Sequence, residues 1–405
     1  MTQVTEERRF RVEVGCFDSS YGNERKYVNT ALENNRLSYG PFTQRFEREM
    51  AGAHESTHAI MCNSGTSAIR IAINALKEVD GWKDGDEVIV PALTFVATSN
   101  VVLQSNLKPV FVDAERDTYN LDPKLLEAAI TPATRAIMPV HLFGMPCDMD
   151  PIMAVAKKHG LRVVEDTCET MFARYKGKPV GSFGDVGCFS TYVAHLLVTG
   201  VGGLAMTNDD GLAVVMRSLI NHGRDSIYVK MEDSNKATAE ERKMVMERRF
   251  SFVRLGYSFR ATELEAAIGC AQFERWKDII AARQANAAVL SKELAQYSDR
   301  LQLPIVPKGR DHVFMMYPIV VRPNAGFSRE DITHFLEENG IETRQMVPLL
   351  NQPVYRKIFG EKFEDGYPVA KWVNSSGFYI GTHQKLGASD MEFVAQKVGE
   401  FLEKA

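Results

Sequence analysis

Three short segments carry the residue types that could do chemistry. The first, Cys62-Asn63-Ser64-Gly65-Thr66-Ser67, joins an apolar run to a helical one through a small, hydroxyl-rich turn. Backbone N–H groups at a helix start attract a phosphate dianion, and Gly65 lets it come close. A plain serine-threonine N-cap would use the same residues. The second, Val163-Val164-Glu165-Asp166-Thr167, is an apolar strand ending in acids. A carboxylate there can pair with a protonated pyridine nitrogen and hold the ring as an electron sink, or it can cap the segment that follows. The third runs from Gly187 through Ser190 to His195 and on into Thr199-Gly200-Val201-Gly202-Gly203. Ser190 offers a second hydroxyl to a phosphate, and His195, five residues on, offers a group that exchanges protons near neutral pH. Taken alone, one histidine is more often a core or surface residue than a catalyst.

The elements that must hold these segments alternate along the chain. Short apolar, β-prone runs at 59–62, 87–90, 109–112, 136–139, 162–165, 186–189 and 203–206 are separated by helical stretches. This is the pattern of a largely parallel sheet with helices on its faces, an α/β fold. A helix is predicted over 66–76, with Ile69, Ile73 and Leu76 on its apolar face. In such sheets ligands bind outside the carboxyl ends of the strands, where all three segments fall. The run 224–249 alternates in charge and reads as a surface insertion with a short helix, a lid or a dimer arm, or more simply a solvated helix. A long helix is predicted from about Thr262. From about Leu301 a smaller α+β unit follows, with a strand over 313–321 and a helix over 328–340. The expected division is a large cofactor-binding domain, 1–285, with an N-terminal arm, and a small C-terminal domain, 286–405.

Composition narrows the function. The 405 residues carry 48 Lys and Arg against 52 Asp and Glu, a net charge of -4, which argues against nucleic acid as a partner. Cys16, Cys62, Cys147, Cys168, Cys188 and Cys270 form no CxxC or CxC pair, so no metal site is expected and the thiols read as reduced. The first ten residues lack the apolar stretch of a signal peptide, and no run approaches the ~18 apolar residues of a membrane span. No membrane contact and a cytoplasmic location are the resulting expectations.

In this order the segments resemble the DegT/DnrJ/EryC1/StrS family of sugar aminotransferases and related dehydratases, over nearly the whole chain. The resemblance rests on Asn63 to Ala68, Thr94-Phe95-Val96, Val140-His141-Leu142-Phe143-Gly144, Glu165-Asp166-Thr167-Cys168, Ser190 to His195 and Gly256-Tyr257-Ser258-Phe259-Arg260-Ala261-Thr262-Glu263-Leu264. It implies an aspartate-aminotransferase-like fold type I with pyridoxal 5'-phosphate or pyridoxamine 5'-phosphate as cofactor. It further implies that Gly65, Thr66 and Ser190 hold the phosphate, that Phe95 stacks on the ring rather than only packing a core, and that Asp166 pairs with the ring nitrogen. The family forms its site across a homodimer, so the segment around Ser258 is expected to reach the partner's phosphate. Ser258 stands where asparagine is usual, and Val201 where glutamate is.

The informative departure is His195, at the place of the lysine that tethers the cofactor in aminotransferases of this family. Imidazole cannot form an imine with an aldehyde, so the cofactor must bind noncovalently. The chain thereby resembles the histidine-containing branch represented by GDP-4-keto-6-deoxymannose 3-dehydratase, as do the short segments 343–345, 351–353 and 378–381. A keto-sugar 3-dehydratase with His195 as base is the first expectation, its substrate a keto sugar carried on a nucleotide, with glutamate as amino donor. An aminotransferase working with free pyridoxamine phosphate is the second; an engineered Lys-to-His trap or a silent binding protein completes the set. Lys176 and Lys178, in the turn 175–179, read as a solvated turn rather than substitutes. The cysteines that would hold an iron-sulfur cluster in the related CDP-sugar dehydrase are absent.

Overall fold

The computed structural model describes residues 10–225, 238–248 and 250–405. Seven strands form the main sheet: β1 His58–Cys62, β2 Glu87–Pro91, β3 Lys108–Val112, β4 Thr134–Ile137, β5 Arg162–Asp166, β6 Val186–Ser190 and β7 Gly203–Thr207. Their order is β1-β7-β6-β5-β4-β2-β3, with β7 antiparallel to both neighbours and every other pair parallel. All seven predicted runs are strands. The fourth starts two residues early and stops before Pro139, which has no N–H for a ladder. β2, β6 and β7 are buried along their whole length, as strands covered on both faces must be. The predicted helix after β1 spans Gly65–Val79 and buries Ile69, Ile73 and Leu76.

The helix expected from Thr262 is in fact two, Glu263–Phe273 and Trp276–Leu294. The chain turns between them because Glu274 accepts from Asn23, Tyr27 and Arg45, while Arg275 pairs with Asp18 at 2.7 Å. A second sheet, β8 Leu301–Gln302, β9 Tyr317–Val321, β10 Arg344–Gln345 and β11 Gly377–Ile380, runs in the order β8-β9-β11-β10, all antiparallel. Beneath it Leu290, Leu294, Ile332, Leu336, Val394 and Val398 make a second apolar cluster. The strand expected over 313–321 begins only at Tyr317; Phe314 adopts φ 45°, and this turns the backbone out of the sheet. The helix expected over 328–340 is Arg329–Glu338, started by a capping box of Ser328 and Asp331.

Of the charged insertion, Ala239–Arg248 is a helix whose described side chains are exposed; residues 226–237 and 249 lie outside the described residues, as do residues 1–9 of the arm. Among the described residues no helix is long and apolar enough to cross a membrane.

One buried carboxylate locks the start of the helix Pro41–Ala53 to the helix Glu263–Phe273. Glu263 accepts from the N–H groups of Gly40, Phe42 and Thr43 at 2.7, 2.9 and 2.9 Å, and from the Thr43 hydroxyl. These are first-turn donors with no helical partner, and buried donors left unpaired cost about 1–3 kcal/mol each. Glu263→Ala is therefore expected to lower stability by roughly 3 kcal/mol, read as a shifted urea midpoint. A loss below about 1 kcal/mol would show that water replaces the carboxylate.

Candidate active site

The carboxyl ends of β5 and β6, the start of the helix Gly65–Val79 and the backbone just before β9 enclose a cleft of about 470 Å³. Gly65, Thr66, Phe95, Asp166, Ser190 and His195 all line it. Ser258, the remaining predicted residue, does not. Its backbone bridges Asn221 and its hydroxyl accepts from Arg260 at 3.2 Å.

At one end Gly65 and Thr66 are the first two residues of their helix, with Ser64 capping the Ser67 N–H at 3.1 Å. A Cβ on Gly65 would lie 2.7 Å from Ser190 Cβ and 2.8 Å from Cys168 Sγ, so only glycine lets the helix start sit against β6. The Ser190 hydroxyl is thereby placed beside the first-turn N–H groups. This set of neutral donors at a positive helix end suits a phosphate dianion.

The two acids that end β5 have separate fates, because neighbouring strand residues face opposite sides. Glu165 is fully buried and accepts from the N–H groups of Gly181, Phe183 and Gly184 and from His141 Nε2 at 3.1 Å. Burial raises its pKa, but the His141 contact and these bonds outweigh that and hold it below the usual carboxylate range. Asp166 faces the cleft, 4% exposed, accepting from Thr98 Oγ1 at 2.8 Å and the Cys168 N–H at 3.3 Å. Burial pushes its carboxyl up, and no Lys or Arg among the described residues lines the cleft to offset the charge. A buried carboxylate without a cation is costly, and a protonated pyridine nitrogen would supply one. Phe95, the N-cap of the helix Val96–Gln104, is 59% exposed and lines the same cleft; a core phenylalanine would be covered. The residues present fit a pyridine ring bearing a phosphate.

His195 donates its backbone N–H to the Tyr192 carbonyl at 2.9 Å, and its Nδ1 stands 3.3 Å from Met315 Sδ. Burial and then the charge of Arg283 push the imidazole down to about 4. Arg283, 1% exposed, donates to the Met315 carbonyl at 2.7 Å, and burial pushes its own pKa down to about 10. His195 is therefore neutral at neutral pH and able to accept a proton. Lys176 pairs with Asp150 at the surface and Lys178 lies over Phe183, so neither reaches the cleft.

Sequence reading missed Glu169, Met315, Tyr379 and Arg283. Glu169 had a signal, an acid three residues past the strand end. Arg283 had none, since an arginine in a helix reads as solvated.

A mixed sheet that presents a helix start and a buried acid to one cleft is the aminotransferase-like arrangement of pyridoxal phosphate enzymes, fold type I. The chain belongs to the DegT/DnrJ/EryC1/StrS aminotransferase family, whose model matches residues 19–399. It is 37% identical to the GDP-perosamine synthase of Caulobacter vibrioides, over 94% of this chain and 96% of that one. Among solved structures, E. coli GDP-4-keto-6-deoxy-D-mannose-3-dehydratase with bound hydrated PLP is 25% identical at a TM-score of 0.86, covering 96% and 99% of the two chains. S. venezuelae DesV is 30% identical at a TM-score of 0.83, covering 95% of each.

Because the Arg283 charge is one of the two causes that hold His195 neutral, Arg283→Met should raise the imidazole pKa while Arg283→Lys leaves it low. Titration of ring-labelled histidine by NMR reads this directly; an unmoved His195 in Arg283→Met would assign the whole depression to burial.

Proposed function

We propose that the protein is a keto-sugar 3-dehydratase that works with noncovalently held pyridoxamine phosphate on a GDP-linked 4-keto sugar. The observation that carries this is an imidazole in a cleft that no lysine among the described residues lines. The cofactor, when bound, supplies an amine that condenses with the ketone and a ring that takes up electrons. Gly65, Thr66 and Ser190 hold its phosphate, Phe95 covers the ring, and Asp166 keeps the ring nitrogen protonated. His195 removes a proton from the cofactor's 4′ carbon. With no amine to recapture the cofactor, the hydroxyl at C3 departs instead. The GDP carrier is supported by two relatives whose names both contain it, the perosamine synthase and the mannose dehydratase.

A second reading, transfer of an amino group from glutamate to the same class of sugar, is favoured by the higher identity to GDP-perosamine synthase. Both readings place the protein in a homodimer. Next to Ser258, Phe250, Phe252, Val253 and Leu255 are exposed, Leu255 to 97%, a patch that suits burial against a second copy carrying Ser258 toward its cleft.

With glutamate and a GDP-4-keto-6-deoxy sugar, the product is expected to lose the hydroxyl oxygen by mass, whereas a gained nitrogen would give the second reading. Borohydride should leave the cofactor extractable after denaturation; covalent fixation would end both readings. His195→Asn should slow product formation at least about 100-fold.

A further inference from the structure

The cleft holds a second carboxyl that this reading leaves unused. Glu169 lies three residues beyond Asp166 and lines the cleft with Val140, Val347 and Tyr379. One of its oxygens accepts from the Phe143 N–H at 2.8 Å, presented by a turn in which Phe143 and Gly144 take φ of 56° and 100°. The other has no hydrogen-bond partner among the described residues, and the residue is partly exposed. One oxygen is thus fixed by the backbone and one is open to whatever fills the cleft.

The groups facing Glu169 leave its charge uncompensated. Asp166 stands on its own strand end, and across the cleft stands the Tyr379 phenol of β11, pushed up to about 12 by burial and by Glu169 itself. Arg344 and Glu342 lie beyond Tyr379. Cys168 and Tyr192 also line the cleft, with the Cys168 thiol held well above its usual range by burial, as does the neutral His195. Burial pushes the Glu169 carboxyl up to about 7, the Phe143 N–H opposing and the Asp166 charge assisting. The ordinary order is inverted: near pH 6 the histidine is the empty base and the carboxyl is the loaded acid. Titratable groups pushed apart by their surroundings in one cleft mark an acid and a base.

We propose that Glu169 is the proton donor of this cleft, passing the proton on its open oxygen to the sugar oxygen that leaves as water when the amine condenses with the ketone. The assignment rests on the keto-sugar reading and holds for both of its products. The carboxyl O–H bond breaks and its proton joins the hydroxyl on the former carbonyl carbon. That carbon's C–O bond breaks with its pair going to oxygen, water leaves, and the nitrogen lone pair closes a second C–N bond. Solvent returns a proton to the carboxylate, and His195 is left free to handle the carbon-bound proton.

Two measurements test this. In cofactor-free protein with labelled glutamate, the carboxyl resonance absent from Glu169→Gln should titrate near pH 7 in the wild type. With pyridoxamine phosphate and a GDP-4-keto-6-deoxy sugar supplied, wild-type turnover should fall as pH rises past about 7, because the acid is then empty. Glu169→Gln should be slower by about 100-fold and lack that limb, and Glu169→Asp should restore part of both. A carboxyl titrating in the ordinary range, or an unchanged limb in Glu169→Gln, overturns the assignment. A wild type that forms neither sugar product sinks the keto-sugar reading and this donor's substrate with it, and the titration separates that failure from a misjudged carboxyl.

Discussion

An imidazole cannot form an imine with an aldehyde, so on the proposed reading of His195 the contacts that retain the cofactor are noncovalent. The magnitudes say which contacts matter. A helix terminus contributes about 0.3–1 kcal/mol to a nearby anion, whereas a hydrogen bond to a charged group contributes about 1.5–3. Short, well-aimed donors therefore outweigh the dipole. Donors of that kind exist here only because Gly65 and Gly203 permit close approach; a Cβ on Gly203 would sit 2.5 Å from the Gly65 nitrogen. The tightness of β6, β7 and the helix start against one another shapes the proposed phosphate cradle, and no cation among the described residues lines the cleft beside it.

The same economy of charge runs through the ring site. Glu165 and Asp166 are adjacent carboxylates of opposite meaning, one satisfied by three backbone N–H groups and a histidine, the other left with a threonine, a backbone amide and an open cleft. The satisfied acid fixes the loop 181–184 under the sheet; the unsatisfied one holds a cost that a cationic ring nitrogen would remove. Their contrast follows from strand alternation, since one side chain points into the layer beneath and the next toward the ligand.

How much of this was legible is clearest at individual residues. The seven main strands could be read because buried parallel strands announce themselves as short apolar runs between turn signals. Gly65, Asp166 and Ser190 could be read because each sits within three residues of the end of such a run. The broken helix at Glu274 could not, since its cause lies in Asn23, Tyr27 and Arg45, some 230 to 250 residues away in sequence. Nor could the late start of the strand expected over 313–321, where apolar Val313 to Met316 have strand-like composition but Phe314 takes a positive φ and Met315 and Met316 line the cleft. Alternating polarity and capping signals are local, and both of these outcomes were decided by tertiary contacts.

Arg283 shows why the second sheet cannot be treated as a bystander. It sits on the helix Trp276–Leu294, whose Ile279 and Ile280 pack in the large apolar cluster while Ala287, Leu290 and Leu294 pack in the small one. One rigid element therefore spans both cores, and its guanidinium is clamped between them on the carbonyl of Met315. Met315 in turn meets the imidazole of His195, which belongs to the large sheet's own loop. A buried charge at short range acts strongly because little water screens it. Burial lowers the pKa of His195 most, and the charge carried on that helix lowers it further. The basicity of the imidazole therefore depends on the packing that buries it and, in second place, on the Arg283 guanidinium held on the Met315 carbonyl.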